Sequence, residues 1–515
     1  MKYYFTIVFL FCGSTFFGQT PSVQWKKTLG GTSIEEFASA QQTVDGGYII
    51  AGDAFSNNGD VTGNHGGGDV WVVKLNSIGT IQWEKTYGGT LADVAYSIKQ
   101  TNNGGYIVVG QSSSNNGDVT GHHGSTSSYD YWILKIDSLG VIEWEKSLGG
   151  SGYDAASSVI QTSDNGYIIA GQSSSSDGDI TGHHGLNYDA WVVKLDSMGT
   201  IEWQKSLGGT NSDSGNKLIQ TIDNGFILVG MSASNDGDLT SNFGLNDLWV
   251  VKLNSIGAIS WQKTYGGTGE DFGTDVKQTL DGGYIVGGQS NSNDGDVLGN
   301  IGGSDYWLLK LDSTGTIQWQ KSYGGTGDDG IASLQLMSDG GYLIGGSADS
   351  TNGDVIGTHI RDYWIIKSDS IGTIQWQLSF GGSAAEWLNS VQQTSDNGYF
   401  LCGSTYSNDG DITGNHGSFD YWVLKLNTLT TDIYNQGNKT DLNIYPNPTE
   451  GIITIELDSF HTKTNFKIIN VLGQTVLSGI ITTRSTNLNI DKLPNDIYLF
   501  QLGEDKGRWF KIIKK

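Results

Sequence analysis

The sequence predicts an all-β protein: a seven-bladed β-propeller with four-stranded blades, followed by a small Ig-like β-sandwich tail. Three observations lead to this prediction. Tryptophan recurs in two interleaved series, each with a spacing of 57 to 61 residues. Each interval contains four runs rich in β-branched and aromatic residues. The chain has 76 Gly and only 4 Pro, without a collagen-like period, which indicates turns between strands.

The four runs of one repeat can be read between residues 83 and 137 as WEKTYGG, AYSIKQT, GYIVVGQS and DYWILKID. A DGG or DNG turn joins the second run to the third, which is typical of a tight hairpin. An S-x-G turn leads from the fourth run into the next Trp run. Seven such repeats predict a propeller over residues 19–427.

The two ends of the array predict how the ring closes. A lone Trp run, VQWKKTLGG, occupies residues 23–31, and the array ends with DYWVLKLN at 420–427. If each Trp run is the outermost strand of a blade, the first run has no blade of its own. We expect it to complete the last blade, so that the N-terminal strand closes the ring and no edge is left unpaired.

The chain begins with a predicted secretory signal peptide, residues 1–18, which has one Lys, an apolar run and small residues near Gly18. No other segment is apolar enough to predict a transmembrane helix. The net charge of the whole chain is −25, and residues 19–437 carry 46 acidic against 18 basic side chains. Such a charge repels nucleic acid, which we exclude as a partner. The second Cys, Cys402, lies in an apolar strand and is predicted to be a core residue.

An acidic residue stands four positions after the Gly-Gly pair that follows each Trp run, where each innermost strand should begin. Two interpretations remain open. The carboxylates cap their own loops, or they form a ring at the mouth of the central channel that binds a cation or a polar ligand. The seven positions are Glu35, Asp93, Asp154, Asp213, Asp271, Asp329 and Glu386.

A second acidic residue recurs in the loop between the third and fourth runs, for example NNGDVTGHHG at 115–124. The sequence Asx-Gly-Asp predicts a turn with positive φ, and the carboxylate is also a candidate calcium ligand. The Asp positions are Asp60, Asp118, Asp179, Asp238, Asp296, Asp354 and Asp411. The second His of the loop is Phe243 or Ile301 in other repeats, which argues against a transition-metal site. Calcium is the one cofactor that the sequence suggests.

One aromatic residue breaks the sevenfold pattern. Trp387 follows Glu386 near the predicted channel mouth in a single blade, and it is a candidate ligand-contacting residue. No known catalytic motif occurs, so an enzyme is the less favoured class. A carboxylate pair for glycosidic cleavage remains the alternative, since Asp residues are abundant.

The repeat resembles the bacterial β-propeller repeats of the SBBP type. The hairpin WVVKLNSIGTIQW is similar to the Trp hairpin of quinoprotein-type propellers. This resemblance covers residues 23–427 and implies a fold but no function. The cofactor-binding residues of the quinoproteins are not recognisable, so it implies no quinone cofactor.

A polar linker at 428–441 precedes a tail at 442–515 whose alternating apolar runs predict an antiparallel sandwich. The tail resembles the type A C-terminal sorting domain of the Bacteroidetes type IX secretion system. The resemblance implies export across the outer membrane, contact with the secretion machinery, and removal of the tail by a sortase-like peptidase. The residues that carry it include Tyr445, Pro446, Asn447, Pro448, Gly451, Gly473 and Tyr498.

Together these features predict a secreted propeller that is displayed on the cell surface and acts as a binding or adhesion module. An extracellular glycan or protein is the expected ligand. The alternatives are a carbohydrate-active enzyme with a carboxylate site on the loop face, and a purely structural surface protein.

Overall fold

The computed structural model describes residues 20–357, 361–427, 442–457, 464–470, 474–502 and 509–515. The predicted signal peptide and linker lie outside the described residues. Within those residues every regular element is a β-strand and there is no helix. The chain divides into two compact units, Met1–Thr428 and Leu429–Lys515, called here the N-terminal and C-terminal units.

The N-terminal unit contains 28 strands in its described residues. In chain order they are β1 Ser22–Leu29, β2 Glu35–Gln42, β3 Tyr48–Ala54, β4 Asp69–Leu75, β5 Ile81–Tyr87, β6 Asp93–Gln100, β7 Tyr106–Ser112, β8 Asp130–Ile136, β9 Ile142–Leu148, β10 Asp154–Gln161, β11 Tyr167–Ser173, β12 Asp189–Leu195, β13 Ile201–Leu207, β14 Asp213–Gln220, β15 Phe226–Ser232, β16 Asp247–Leu253, β17 Ile259–Tyr265, β18 Asp271–Gln278, β19 Tyr284–Ser290, β20 Asp305–Leu311, β21 Ile317–Tyr323, β22 Asp329–Leu336, β23 Tyr342–Ala348, β24 Asp362–Ser368, β25 Ile374–Phe380, β26 Glu386–Gln393, β27 Tyr399–Thr405 and β28 Asp420–Asn427.

These strands form repeated four-stranded antiparallel sheets, one for each repeat. Six sheets follow chain order, from β2–β5 to β22–β25, and the seventh has the order β1-β28-β27-β26. Strand β1 pairs with β28 from Ser22 opposite Asn427 to Leu29 opposite Tyr421. The lone N-terminal run is therefore the outer strand of the seventh sheet, about 400 residues away in the chain.

The burial of the strands explains their composition. The middle strands of each sheet are buried on both faces, which is why they read as continuous apolar runs such as DVWVVKL in β4. One of the two middle strands carries a Trp, which lies opposite a Gly of the strand before it, as Trp71 lies opposite Gly52. Its ring is at most 2% exposed in all seven sheets. The glycine itself is required by the innermost strand on its other side, because a Cβ at Gly110 would lie 1.8 Å from the Val94 carbonyl oxygen.

The hydrophobic core is divided among seven clusters, each shared by two neighbouring sheets. Between the first and seventh sheets, Trp71 and Tyr48 pack with Tyr421, Phe400 and the buried thiol of Cys402. Strands are counted within the sequence repeat, whose first strand is the Trp run; the second strand of each repeat is then the innermost of its sheet, and these strands are β2, β6, β10, β14, β18, β22 and β26. Each innermost strand contacts that of the next sheet, and β26 contacts β2. The seven innermost strands together line one cavity of about 820 Å³, called here the central cavity.

A β-bulge interrupts every innermost strand before its fifth residue. In β6, for example, Ala95 pairs with Gly110 and Ser97 with Val109, which leaves Tyr96 as the extra residue. The side chains after the bulge tie neighbouring sheets together. The Ser39 hydroxyl accepts the N–H of Ile98. The bulge has the same place in β10, β14, β18, β22 and β26, and in β2 the register shifts between Glu36 and Ser39.

The C-terminal unit consists of two antiparallel sheets around one apolar core. Its strands are β29 Leu442–Tyr445, β30 Ile452–Leu457, β31 Thr464–Asn470, β32 Thr475–Ile481, β33 Ser485–Asn489, β34 Ile497–Leu502 and β35 Trp509–Ile513. The first sheet has the order β29-β30-β33 and the second β32-β31-β34-β35. Ile455, Ile468 and Phe500 are fully buried between them.

Candidate functional site

The seven acidic residues after the Gly-Gly pairs begin the innermost strands, and all of them are at most 1% exposed. Each carboxylate accepts the N–H of the second Gly of its own pair, as Asp93 does from Gly89 at 2.7 Å. The distances of this bond lie between 2.7 and 3.0 Å. Two hydroxyl groups at the end of the next strand complete the set around Asp93, those of Ser112 and Ser114. Because no oxygen of these carboxylates faces solvent, we place the candidate ligand site elsewhere.

A second buried carboxylate lies beside each of them. It belongs to the Asp that begins the fourth strand of the preceding repeat, and the two groups flank the first Gly of the pair. A Cβ added to Gly149 would lie 2.6 Å from Asp154 and 2.7 Å from Asp130. The first glycine of each pair is therefore required because two carboxyl groups occupy the space of its side chain.

Stability is expected to be highest at about pH 4 and to fall toward neutral pH. Burial raises the pKa of Asp93, Asp247 and Asp305 to about 6, above the usual value of 3.8. A raised pKa in the folded chain stabilises it fully below 3.8, and this contribution is lost as the pH rises through 6. Burial next to Glu36 raises the pKa of Asp53 to about 8 and extends the loss to higher pH.

The Asp residues of the hairpin turns determine how stability changes at acidic pH. Burial opposes ionisation of Asp45 and Asp281, but hydrogen bonds from Thr and Lys side chains outweigh it and lower both pKa values to about 2. Their contribution is present above 3.8 and is lost as the pH falls through 2. Unfolding midpoints measured by calorimetry from pH 3 to 9 at constant ionic strength test this profile. A midpoint that rises steadily up to pH 8 would contradict it.

The substitution Asp305→Asn separates titration from packing. One oxygen of Asp305 accepts the N–H of Ile301 at 2.8 Å, and the other has no hydrogen-bond partner in the described structure. An amide keeps the first bond and has no charge to bury. We expect a flatter pH profile between 5 and 7, and a higher midpoint than the wild type at pH 8. An unchanged slope would show that Asp305 does not titrate in this range.

The acidic loops between the third and fourth strands are held by the same Gly-Gly pairs. The Asp118 carboxylate accepts the N–H of Gly88 at 3.2 Å, and the Asp118 N–H donates to the Gly88 carbonyl. Asn116 accepts the N–H of Thr90 at 2.9 Å, and this second bond recurs in all seven repeats. The described residues contain no group of three or more His, Cys, Asp or Glu arranged to hold a metal. Calcium binding by these loops stays a prediction.

The variable His of these loops has a structural explanation. His65 lies with Nδ1 2.6 Å from Asp69. In every described repeat, however, it is the backbone N–H of this position that caps the Asp, at 2.6 Å from Phe243 and 2.8 Å from Ile301. Phe and Ile are tolerated because the conserved contact does not use the side chain. His359, the equivalent residue of the sixth repeat, lies outside the described residues.

The mouth of the central cavity carries an asymmetric group of side chains. Trp387, the second residue of β26, lines the cavity together with Arg361. The Arg361 guanidinium lies 5.6 Å from the Trp387 ring centroid and donates to both oxygens of Asp349, at 2.9 and 2.6 Å. The Phe419 ring packs at a tilt against two other rings, with its centroid 5.1 Å from that of Trp387 and 4.9 Å from that of Tyr406. These residues are called here the aromatic mouth: Trp387, Phe419, Tyr406 and Arg361.

The other repeats do not reproduce the aromatic mouth. At the position of Trp387 the remaining innermost strands carry Glu36, Val94, Ala155, Ser214, Phe272 and Gly330. Tyr153 forms a second aromatic group with Tyr129 and Tyr188, at centroid distances of 5.4 and 5.7 Å. Aromatic rings with partly exposed faces and neighbouring polar groups suit a saccharide or a flat ligand. The side chains of the aromatic mouth therefore differ from those at the equivalent positions of the other repeats, although the backbone fold repeats.

Further into the central cavity, three lysines extend from three different sheets: Lys99 from β6, Lys217 from β14 and Lys277 from β18. Lys277 lies 2.5 Å from Asp275. Burial, together with the charges of the other two lysines, lowers the pKa of Lys99 to about 7. The sequence analysis did not single out these lysines. Alignment of the repeats offers a signal, because Lys99 and Lys277 stand where other repeats have Gln41, Ile160, Ile219, Gln335 and Gln392.

The predicted sorting residues lie in the C-terminal unit. The side-chain amide of Asn447 makes two hydrogen bonds to the backbone of β35. Its nitrogen donates to the Lys511 carbonyl at 2.6 Å, and its oxygen accepts the N–H of Ile513 at 2.8 Å. Tyr498 is 2% exposed and donates to the carbonyl of Pro494. Tyr445 is 47% exposed. Gly473 lies outside the described residues.

Residues 443–515 match the family model of the secretion system C-terminal sorting domain. This confirms the resemblance that the tail showed. The chain carries the export signal of the type IX secretion system, and it is exported to the cell surface or beyond with the help of that machinery. The described residues contain no helix that could span a bilayer.

The chain as a whole has more distant likenesses. The chain is 25% identical over 423 residues to the regulatory protein FlaEY of Caulobacter vibrioides, a match that covers 74% of this chain. It spans only 41% of the length of that protein.

Two solved structures are similar at 10% identity. The Neurospora crassa Pan2 WD40 domain has a TM-score of 0.43, with 78% of this chain and 95% of that chain covered. PorZ, a surface component of the type IX secretion system of Porphyromonas gingivalis, has a TM-score of 0.42, with 95% and 60% covered.

Proposed function

We propose that this protein is a secreted, surface-displayed glycan-binding module whose ligand site is the aromatic mouth of the central cavity. The N-terminal unit is in this proposal a seven-bladed β-propeller over residues 19–427 that is closed by its own N-terminal strand. The C-terminal unit, over 442–515, is an Ig-like sandwich that a sortase-like peptidase removes. Adhesion to an extracellular surface follows from binding and display together.

The single observation that carries the proposal is the asymmetry of the aromatic mouth. Structural residues of this chain recur in every repeat, as the buried Trp and the acidic strand starts do. Trp387 and Arg361 occur once, line a cavity of about 820 Å³, and are half-buried rather than packed away. Binding sites are concave and lie where side chains depart from the requirements of the scaffold.

Trp387→Ala is expected to weaken glycan binding roughly thirtyfold, which corresponds to about 2 kcal/mol for a central aromatic contact. The full-length protein is first screened on an array of neutral and acidic oligosaccharides. The best ligand is then titrated by calorimetry into the wild type and the variant. The ring faces the cavity, so the unfolding midpoint should change little.

Phe272→Ala is the matched control for this experiment. Phe272 is the second residue of β18, as Trp387 is of β26, but it does not line the cavity. Its removal should leave the affinity unchanged. Equal affinities of the wild type and Trp387→Ala for every retained glycan would refute the site. If the protein binds no glycan on the array, the glycan-binding proposal fails and the ligand class has to be sought among proteins.

A further inference from the structure

The three lysines of the central cavity have no counterpart in the scaffold. Lys99 and Lys277 are the seventh residues of β6 and β18, and Lys217 is the fifth residue of β14. The fifth position is Ser in five of the seven innermost strands, and in three of these the hydroxyl accepts a backbone N–H of the neighbouring sheet. Four sheets complete the ring without any lysine at either position. The lysines are therefore not required for the fold.

These ammonium groups outnumber the carboxylates around them. Asp275 is the acidic residue that lies among them, and its two oxygens already have partners. One oxygen lies 2.5 Å from the Lys277 ammonium and accepts the N–H of Val276. The other accepts the N–H of Leu334 at 2.8 Å. One occupied carboxylate thus faces three ammonium groups in one cavity.

The remaining charged groups of the cavity lining lie at its mouth and are already engaged. Arg361 is paired with Asp349. Asp328 accepts the N–H of Ser304 at 2.9 Å, and buried Asp329 accepts that of Gly325. The interior of the cavity is therefore a cationic site inside a unit whose exterior is strongly acidic.

An uncompensated cluster of like charges has an energetic cost. Burial lowers the pKa of both Lys99 and Lys277, and the neighbouring lysines add to the effect. A cost of this kind is typical of functional sites, where groups are arranged for a ligand rather than for the empty fold. A bound anion would offset the repulsion with charge-assisted hydrogen bonds from all three lysines.

We propose that the central cavity is an oxyanion site in which Lys99, Lys217 and Lys277 bind a sulfate, phosphate or carboxylate group. The proposal rests on the function proposed above, because it makes the ligand of the aromatic mouth an acidic glycan. Lys99 and Lys277 lie five residues further along their strands than Trp387 along its own, roughly 15 Å deeper at 3.3 Å per residue. A ligand of a few sugar units would contact both regions.

The test measures saturable anion binding by the full-length protein. Sodium sulfate, sodium phosphate and sodium glucuronate are titrated separately at constant ionic strength set with NaCl, with glucose as the neutral probe. Thermal midpoints and calorimetry give the dissociation constants. We expect a saturable rise in the thermal midpoint with at least one oxyanion and no rise with glucose. The preferred anion identifies the acidic group of the natural ligand.

The double variant Lys99→Gln/Lys217→Gln removes two of the charges and leaves the Lys277–Asp275 pair intact. We expect its affinity for the preferred oxyanion to be at least tenfold lower. Without anion its midpoint should equal or exceed that of the wild type, since repulsion is relieved. The control Lys146→Gln/Lys205→Gln changes the same charge on the exposed outer strands β9 and β13 and should keep wild-type affinity.

The outcomes separate this proposal from the function on which it rests. Equal anion affinity of the double variant and the wild type, or no saturable anion effect on the wild type, overturns the oxyanion site. If a neutral glycan still depends on Trp387 in that case, the glycan-binding function stands. If anions depend on the lysines while no glycan binds, the oxyanion site stands and the glycan-binding function fails.

Discussion

Deletion of residues 20–29 is expected to destabilise the N-terminal unit by about 5 kcal/mol or more and to make it prone to association. Strand β1 pairs along its length with β28 and contributes the buried Leu29. Trp25 packs at 5.7 Å from Tyr48 and 6.1 Å from Phe400, and so joins the first and seventh sheets. Apolar burial of this size and the loss of a whole ladder of hydrogen bonds account for the magnitude.

The loss should also expose a long strand edge. Without β1, the outer edge of β28 has unpaired N–H and C=O groups and invites pairing with another chain. Calorimetry and light scattering of the deletion variant, compared with the wild type, measure both effects. A synthetic peptide of residues 20–31 added in excess should restore the midpoint, whereas a scrambled peptide should not. A deletion variant that unfolds at the wild-type midpoint would contradict the proposed closure of the propeller by β1.

Gly288→Ala is expected to cost about 3 kcal/mol, at the upper end of the range for overpacking. A Cβ at Gly288 would lie 1.8 Å from the carbonyl oxygen of Phe272, where the bulge of β18 brings the two backbones together. A backbone atom cannot rotate away, so the sheet must distort. Equivalent contacts of 1.8 to 2.0 Å occur at Gly110, Gly171, Gly230, Gly346 and Gly403.

The neighbouring residue provides the matched control. Gly287 lies on the same strand, but a Cβ there would meet only side-chain atoms, the nearest at 3.2 Å from Ile331. Gly287→Ala should therefore change stability by less than about 1 kcal/mol. Urea unfolding followed by Trp fluorescence gives both values. Equal midpoints for the two variants would show that the bulge does not force this close approach.

The repeats explain why the strands could be predicted so fully. Every repeat contains the same tight turn, with the sequence DGG, DNG or NGG, and the Lys of the fourth strand binds its Asp or Asn, as Lys74 binds Asp45 at 3.0 Å. The Trp of that strand donates to a Glu or Gln of the outer strand, as Trp71 does to Glu84. These contacts link residues of a single sheet. Local pattern and local contact agree, so composition and spacing were sufficient to predict them.

The acidic residues that begin the innermost strands show what the repeat pattern does not predict, which is the direction of their side chains. The sequence located Glu35 and its six equivalents at the beginning of the innermost strands, and the structure has them there. Whether their carboxylates face the cavity or their own Gly-Gly loop depends on backbone direction, which spacing does not specify. The loop N–H groups bind the carboxylates and bury them.

By itself the sequence determined the four-stranded repeat, the export tail and the position of Trp387, because each depends on residues that are close in the chain or on a recognisable domain. Only the tertiary structure decided which groups share the central cavity. Lys99 and Lys277 are separated by nearly 180 residues and by two intervening sheets in the chain. They meet because seven innermost strands line one cavity, and a charge cluster of this kind has no signature in the sequence around any one of its members.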